Sequence, residues 1–466
     1  MSGLFGLLKL GTRSLQVQGT GVEVAGQNLA NVNNPAYARQ RIAIQSSPSI
    51  DRPHGPQGTG AEIVGIEQIR NALVDRQINS EISVGSSLEA HRGVLKYAQA
   101  SLGEFLDLNG DTGSKSGLSV DLGGLFEAFR SISNSPGSLT ERQILISKAE
   151  DLANHFNQIN ARLSSLNSSL NKSLELDVDG ANSLLGGIAA LNNQISNLEK
   201  STGGSANELR DLRQEKLEEL SRLVKYEVAD SPSNGLTISV NGSSLVGGNR
   251  LLDTLQTYDG GGEQFLVRTA TGGTPLKLTG GHMHGTIDAR DGVLKSVRDQ
   301  INTLASTLVS EINEVHGSGF APKGGTGLTF FEGTDAATIR VNAGLVGDPS
   351  RLQLSGINGN TGDNQIALSL AQLGDKQISN LGDLSIRQSY SGVVAQIDQA
   401  LASVIGKAAD QHVVEKMLFQ QRDAVSGVSI DEEMSDLMRY QKAFQASAKL
   451  ISTVEEMIDT VINMKR

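Results

Sequence analysis

Cysteine is absent from the 466 residues, which excludes disulfides, thiolate metal sites and cysteine nucleophiles together, and with them the usual clue to redox compartment. Tryptophan is also absent and aromatics make up 4% of the chain, so large aromatic-lined ligand pockets are not expected. No stretch approaches the ~18 uninterrupted apolar residues of a membrane span. The leading segment MSGLFGLLKL has no basic start and is broken by Gly3, Gly6 and Lys9, which makes it a poor signal peptide. Positive charge is in deficit: 40 Lys and Arg stand against 51 Asp and Glu, a net −11, the wrong sign for a surface that neutralises phosphates. By default these absences describe a soluble cytoplasmic chain, unless another export route operates.

What is present is glycine, at 53 residues, and aliphatic side chains in ordinary globular proportion. Length alone suggests about three domains. Leu8, Leu15, Val22 and Leu29 recur every seven residues and predict a helix with a narrow packing seam. Gly19, Gly21 and Gly26 weaken it, at ~1 kcal/mol each, so this helix should need a partner. It stops in the turn-forming run Asn31 to Pro35. Residues 46–60, with three of the nine prolines, read as an extended linker, and a helical segment is expected from about Val64 to Leu108, followed by a Gly/Ser break at 109–119.

The strongest periodicity runs Leu145, Ala149, Leu152, Phe156, Ile159, Leu163, Leu166, Leu170, Leu174. It is read as interrupted at Asp177 to Gly180 and resuming through Leu184, Ile188, Leu191, Ile195 and Leu198, which predicts long, antiparallel, coiled-coil-like helices. From Tyr226 the pattern changes to period-two alternation with an Asn-Gly turn at 241–242, and short strands are expected to about Arg290. A further helix follows through Leu294, Val297, Ile301, Leu304, Leu308, Ile312 and Val315, then a Gly-rich stretch with short strand-like pieces, then helices to the end.

The last helix begins at Asp431, Glu432 and Glu433 and finishes at Lys465 and Arg466, charges that complement the helix dipole. It carries two apolar seams, Ala443, Ser447, Leu450, Val454, Met457, Val461, Met464 and Leu437, Phe444, Ile451, Ile458, Ile462, too wide for one partner helix. Docking within its own domain and packing in a crowded assembly both fit that pattern. The fold class expected is mainly α with an inserted β domain (α+β). Its parts are a terminal helical assembly domain (1–45 with 428–466), a long-helix domain (46–225 with 291–427) and an inserted β domain (226–290).

Catalytic signatures are missing: there is no GxxxxGK[ST], HExxH or GxSxG. His282 and His284 are the one close histidine pair. On a strand they would share a face, but no acidic ligand is specified nearby, and exposed strand histidines are the simpler reading. Glu432 with Glu433, and Glu455 with Glu456, are accounted for by solvated helix faces. Gly260 to Gly262 and Gly324 to Gly327 read as flexible turns. No cofactor, no metal and no catalytic residue is assigned.

The segment NLANVNNPAYARQR, Asn28 to Arg41, resembles the N-L-A-N-x-x-T-x-G-Y motif of the bacterial flagellar axial proteins. Asn34 stands for the usual Thr and Ala36 for the usual Gly, so the turn must use negative φ at 36 or tolerate strain. Arg39-Gln40-Arg41, the segments Asn192 to Leu198, Leu209 to Leu217, Gly235 to Val246, Glu311 to Phe320 and Gly427 to Glu433, and the C-terminal run Tyr440 to Thr453 are similar in order to the hook-associated family of the FlgK type. Rod and hook proteins share only the chain ends. Gln214 replaces an acidic residue usual in that family. The region Phe331 to Thr361 is short where longer relatives carry a second β insertion.

The resemblance implies a structural, non-enzymatic protein at the junction of flagellar hook and filament, exported through the flagellar type III apparatus and placed outside the cell. It implies termini that are loose in the monomer and subunit packing through Leu8, Leu15, Val22, Leu29, Leu437, Phe444, Ile451 and Ile458. The axial motif would be carried by Asn28, Asn31, Pro35, Tyr37, Arg39 and Gln40. Implied partners are further copies of the chain, the flagellar hook protein, the second junction protein FlgL and the export chaperone FlgN. The chaperone would bind Leu450, Ile451, Val454, Met457, Ile458, Val461 and Ile462. Another axial protein of hook or rod type is the nearer alternative, and a metal-dependent enzyme using His282 and His284 the distant one.

Overall fold

A 64-residue helix, α4 (Leu139–Thr202), is the spine of the chain. Ser138 caps its start by accepting from the Glu141 amide, and Gly203, at φ 70°, closes its end in the left-handed conformation that glycine adopts at little cost. The computed structural model describes residues 2–51, 55, 58–103, 117–231, 235–262 and 264–464. Most of the Gly/Ser break expected at 109–119, part of the 46–60 segment, and Lys465 and Arg466 lie outside the described residues. The break expected at Asp177 to Gly180 does not occur. Leu174, Val178, Ala181, Leu185 and Ile188 are all buried, so the three-four rhythm passes straight through and its burial outweighs one interior glycine.

The two halves of α4 serve different cores. The first half packs with α3 (Leu118–Asn134), α7 (Lys295–Gly317), α9 (Gln365–Gln372) and the start of α10 (Ile386–Ser426) around Phe129, Phe156, Phe330 and Leu308. The second half, with α5 (Asn207–Leu223), covers the inner face of the β region through Leu217, Leu220, Ile238, Val240, Val246 and Val267. That region comprises a four-stranded antiparallel meander, β3 (Glu227–Ser231), β4 (Gly235–Val240), β5 (Ser243–Gly247) and β6 (Arg250–Leu251). A separate hairpin follows, β7 (Leu255–Asp259) with β8 (Phe265–Thr269). Asn241 and Gly242, at φ 48° and 79°, make the tight β4–β5 turn that the Asn-Gly pair predicts. Asn192 on α4 donates to the Gly248 carbonyl (2.6 Å) and accepts from Arg213 (2.8 Å), tying meander, α4 and α5 together. Gln214 donates to Glu218 at 3.2 Å.

Strands do not continue to Arg290. They end at Thr269, and the chain is helical again from α6 (His282–Ala289) through a π-helical turn at Arg290–Leu294 into α7. His282 and His284 therefore sit on a helix, not a strand. Arg290 is fully buried and bonds Asn171 at 2.6 Å and Asp291 at 2.7 Å. A buried guanidinium needs such partners. The fold is mainly α with an inserted β region, as the sequence pattern predicts.

The 46–60 segment is not a free linker. β1 (Gln40–Ser46) pairs antiparallel with β2 (Ala61–Gln68), so it is the loop of a hairpin, and Val64 lies in a strand; the following helix, α2 (Ala72–Leu102), starts only after the Asn71 cap. α2 packs along α10 through Val74, Ile78, Ile82 with Leu418 and through Leu95 with Leu401 and Val404. After two short strands, β9 (Phe331–Glu332) and β10 (Arg340–Val341), and the one-turn α8 (Ala343–Gly347), α10 opens with a capping box of Ser385 and Gln388. The chain ends in α11 (Ile430–Asn463), which lies antiparallel to the first helix, α1 (Ser2–Ala30).

Candidate assembly surface at the paired termini

The α1–α11 contact has a regular register. A Cβ at Gly11 would stand 2.7 Å from Ile451, and one at Gly21 2.7 Å from the Tyr440 ring. Between them Ser14 and Ser447 share a hydrogen bond of 2.7 Å, and beyond them Asn28 reaches Glu433 at 3.0 Å. Residue numbers in each pair sum to 461 or 462, and the positions on α1 step by three and seven, which is heptad packing of antiparallel helices. The glycines read as weak points in the helix are thus its contact line, because only a missing side chain lets the backbones come this close. A heptad spacing of small residues is the sequence signal that points to this line. Leu8, Leu15, Val22 and Leu29 flank it and are half-buried.

On α11 the contact line runs between the two apolar seams. Val454 is buried, Ile451, Ile458 and Leu437 are half-buried, and Phe444 is exposed. Of the seven residues expected to meet a chaperone, Ile451, Val454 and Ile458 lie on the α1 side, and Leu450 also reaches α1, its side chain 3.1 Å from where a Cβ at Gly11 would stand. Leu450, Met457, Val461 and Ile462 are exposed, the first three falling on one face by their spacing of seven and four. Phe5 and Leu7 are exposed at the head of α1. Beside them a cavity of about 420 Å³ opens between Leu7, Leu10, Pro48, Ile50 and Thr59.

Past Asn28 the pair is anchored by a polar hub. The Asn28 side chain, 1% exposed, donates to the Gln40 carbonyl (2.9 Å) and to Glu433 (3.0 Å), and accepts from the Tyr37 hydroxyl (2.8 Å) and the Gln40 amide (3.0 Å). All four of its hydrogen-bonding sites are used. Arg39 pairs with Glu432 and Glu433, each at 2.6 Å, so Glu433 is a buried member of the hub and not part of a solvated helix face. Asn31 donates back to the Gln27 carbonyl (2.9 Å), the Pro35 carbonyl accepts from Arg422 (3.1 Å), and Gln40 accepts from Asn207 (3.4 Å). Asn34 accepts from the Ala36 amide at 3.1 Å, and Ala36 keeps a negative φ, which resolves the turn without a glycine.

Arg70 completes the link to the body. It donates to the Ala36 carbonyl (3.0 Å) and to Asp211 (2.8 Å), with Asp75 at 3.4 Å. Burial pushes the Asp211 carboxyl up to about 6, with Arg70 opposing the rise, and burial together with the charges of Asp211 and Glu433 pushes the Tyr37 hydroxyl up to about 12. Arg70, Arg422 and Asn207 carry no signal in the sequence, and Asp211 only that of lying in the family-like segment Leu209 to Leu217, since their roles come from the meeting of α2, α5 and α10 with the motif loop.

The histidine pair has other duties. His282 bonds Asp177 on α4 at 2.6 Å and His284 bonds Ser87 on α2 at 2.8 Å. Two positions apart on a helix they point in different directions, and among the described residues no group of three or more acidic or histidine side chains could hold a metal ion. No described helix is long and apolar enough to cross a membrane.

Residues 107–331 match the family model described as the flagellar hook-associated protein FlgK helical domain. Residues 420–464 match that of the flagellar basal body rod FlgEFG protein C-terminal region. The chain is 25% identical to flagellar hook-associated protein 1 of Bacillus subtilis (strain 168), with 99% of each chain covered. The chain belongs to the FlgK family of flagellar hook-associated proteins. The match to the middle of the chain separates a FlgK-type protein from rod and hook proteins. Flagellar hook-associated protein 1 of Escherichia coli (strain K12) is 24% identical over 95% of this chain and 97% of its own. In fold the chain resembles the flagellar hook junction protein FlgK from Burkholderia pseudomallei, with a TM-score of 0.64 and 17% identity over 75% of this chain and 100% of that one. The FlgK family is one of structural flagellar proteins.

Proposed function

We propose that this chain is a structural component of the bacterial flagellum, forming the junction between hook and filament and adapting one tubular lattice to the other. The observation that carries this reading is the terminal pair itself: glycine and serine of α1 seat Ile451, Tyr440 and Ser447 of α11, leaving Met457, Val461 and Phe5 exposed and Leu450 partly so. Apolar rows of this kind gain burial only against neighbouring subunits. Head-to-tail contacts that do not close build a helical tube. The pair would line the inner wall of that tube, the long helices the next shell, and the β region its outside.

The partners are further copies of the chain, the hook protein on one side and FlgL on the other. Before export through the flagellar type III apparatus the chaperone FlgN would occupy Leu450, Ile451, Val454, Met457, Ile458, Val461 and Ile462. Because Ile451 and Val454 face α1 in the folded chain, chaperone and α1 would compete for one side of α11. The role needs no cofactor and no catalysis. In cells lacking the native protein, a Leu450→Asp, Met457→Asp, Val461→Asp variant should be made in normal amount, yet cells should shed filament subunits into the medium and not swim. Normal filaments on that variant would contradict the proposal.

A further inference from the structure

With cysteine absent, the sulfur of the chain is confined to seven methionines, and they are unevenly placed. Met1 lies outside the described residues, and Met283 is fully buried in the core beneath the β region. Met417, Met434, Met438, Met457 and Met464 all fall in the second half of α10 and on α11, and each is 42% to 81% exposed. At ~3.6 residues per turn, none of the four on α11 falls on the contact line that Glu433, Tyr440, Ser447 and Ile451 make with α1. Met434 and Met438, four apart, share one flank of the helix, and Met457 and Met464, seven apart, share another. The body thus holds its one methionine sealed, whereas the terminal segment holds five in the open. Exposure is what decides which thioethers an oxidant reaches, and methionine is reversibly oxidised to a polar sulfoxide.

We propose that these five thioethers are oxidation sites of the free chain, and that a hydroperoxide converting Met457 and Met464 to sulfoxides blocks assembly while leaving the fold intact. The sulfur lone pair attacks one oxygen of hydrogen peroxide, and the S–O bond forms as the O–O bond breaks. Sulfur is oxidised by two electrons, and the leaving hydroxide collects the proton of the transferred oxygen and departs as water. The product exchanges a flexible, polarizable apolar group for a polar hydrogen-bond acceptor. On Met457 that oxygen enters the exposed row assigned above to burial against a neighbouring subunit, where an unpaired polar group is costly. The fold is spared because Met283 is out of reach and the five open sulfurs stand off the α1–α11 contact line. The consequence for assembly rests on the assembly reading above, whereas the pattern of oxidation stands on exposure alone.

The test begins with the purified full-length chain in dilute hydrogen peroxide, read by peptide masses and by the urea unfolding midpoint. Met417, Met434, Met438, Met457 and Met464 should each gain one oxygen at least about tenfold faster than Met283, which reacts only when the chain opens, and the midpoint should not move. Oxidation of Met283 in step with the five, or a falling midpoint, would overturn the proposal. Assembly is then read in cells lacking the native protein, with Met457→Gln, Met464→Gln as a polar stand-in for the sulfoxides. That variant should reach the medium in normal amount and be incorporated into flagella on the order of tenfold less, and a Met457→Leu, Met464→Leu variant, apolar and of similar volume, should be incorporated several-fold better than it. Equal loss in both would overturn polarity as the cause, and retention of the Gln variant inside cells would move the effect to export and overturn the block on assembly. Normal incorporation of the Gln variant, with the Leu450→Asp, Met457→Asp, Val461→Asp variant defective, would overturn this inference and leave the assembly reading standing. Normal incorporation of both would overturn the assembly reading itself.

Discussion

The body and the terminal pair are both built from long antiparallel helices with heptad spacing, yet they use opposite side chains at the contact. Around Phe129, Phe330 and Phe331 the rings lie 4.8 to 5.5 Å apart and are sealed from solvent, so the body is held by apolar burial. Along the contact line α1 presents glycine, serine and asparagine, which meet Ile451, Ser447, Tyr440 and Glu433 of α11; Val17, Val24 and Val454 are buried, and the remaining aliphatic rows stand to the side. A helix pair that spends its small residues internally keeps its large ones for other chains. Its attachment to the body then falls to polar groups, which fix geometry with little apolar area.

That contrast can be broken at graded cost. Phe129→Ala should lower the free energy of unfolding of the monomer by about 3–5 kcal/mol, read from urea midpoints at constant slope. Asn28→Ala strands the Gln40 amide and the Tyr37 hydroxyl and removes one of the two partners of Glu433; it should cost about 2 kcal/mol, seen as faster amide exchange at the start of α11 with the body unaffected. Equal loosening of α7 would mean that hub and body unfold as one unit.

Acid should push the two regions in opposite directions. Burial holds His316 down at about 4, neutral between the Leu328 carbonyl and the Gln353 amide. The unfolded chain therefore takes up the proton first, and stability falls as pH drops below about 6.5, by roughly 2 kcal/mol at pH 5. Asp211, raised to about 6, binds its proton first in the folded chain, so the hub gains roughly 1 kcal/mol over the same range. Asp211→Asn should remove that gain, and acid unfolding should become steeper. An unchanged acid limb would show that Asp211 is ionised throughout. The smallest monomer effect is expected for Leu15→Ala, within about 1 kcal/mol, since Leu15 flanks the pair; loss of filament attachment by the same variant would separate assembly from stability.

Much of this architecture is legible in the sequence because burial imposes period. The α4 and α7 heptads, the Asn241-Gly242 hairpin and the acidic start of α11 all announce themselves. Legibility fails where a residue's role is set by a distant segment. Glycine at 11 and 21 looks like a defect until α11 is laid against it. Asp177 to Gly180 looks like a turn until α5 covers it, and 46–60 looks like a linker until β1 finds β2. Of the hub, the motif residues Asn28, Tyr37 and Arg39 are visible as a pattern. The buried pairing of Glu433, Arg70, Arg422 and Asp211 is not, since a charged side chain is ordinarily solvated.

The most direct test of the account is amide hydrogen exchange on the free monomer and on chains in assembled flagella. In the monomer α1 and α11 should exchange orders of magnitude faster than α4 and α7, and both should become protected on assembly. Terminal helices as protected in the free monomer as α4, or left unprotected after assembly, would contradict the claim that their apolar rows are kept for neighbouring subunits.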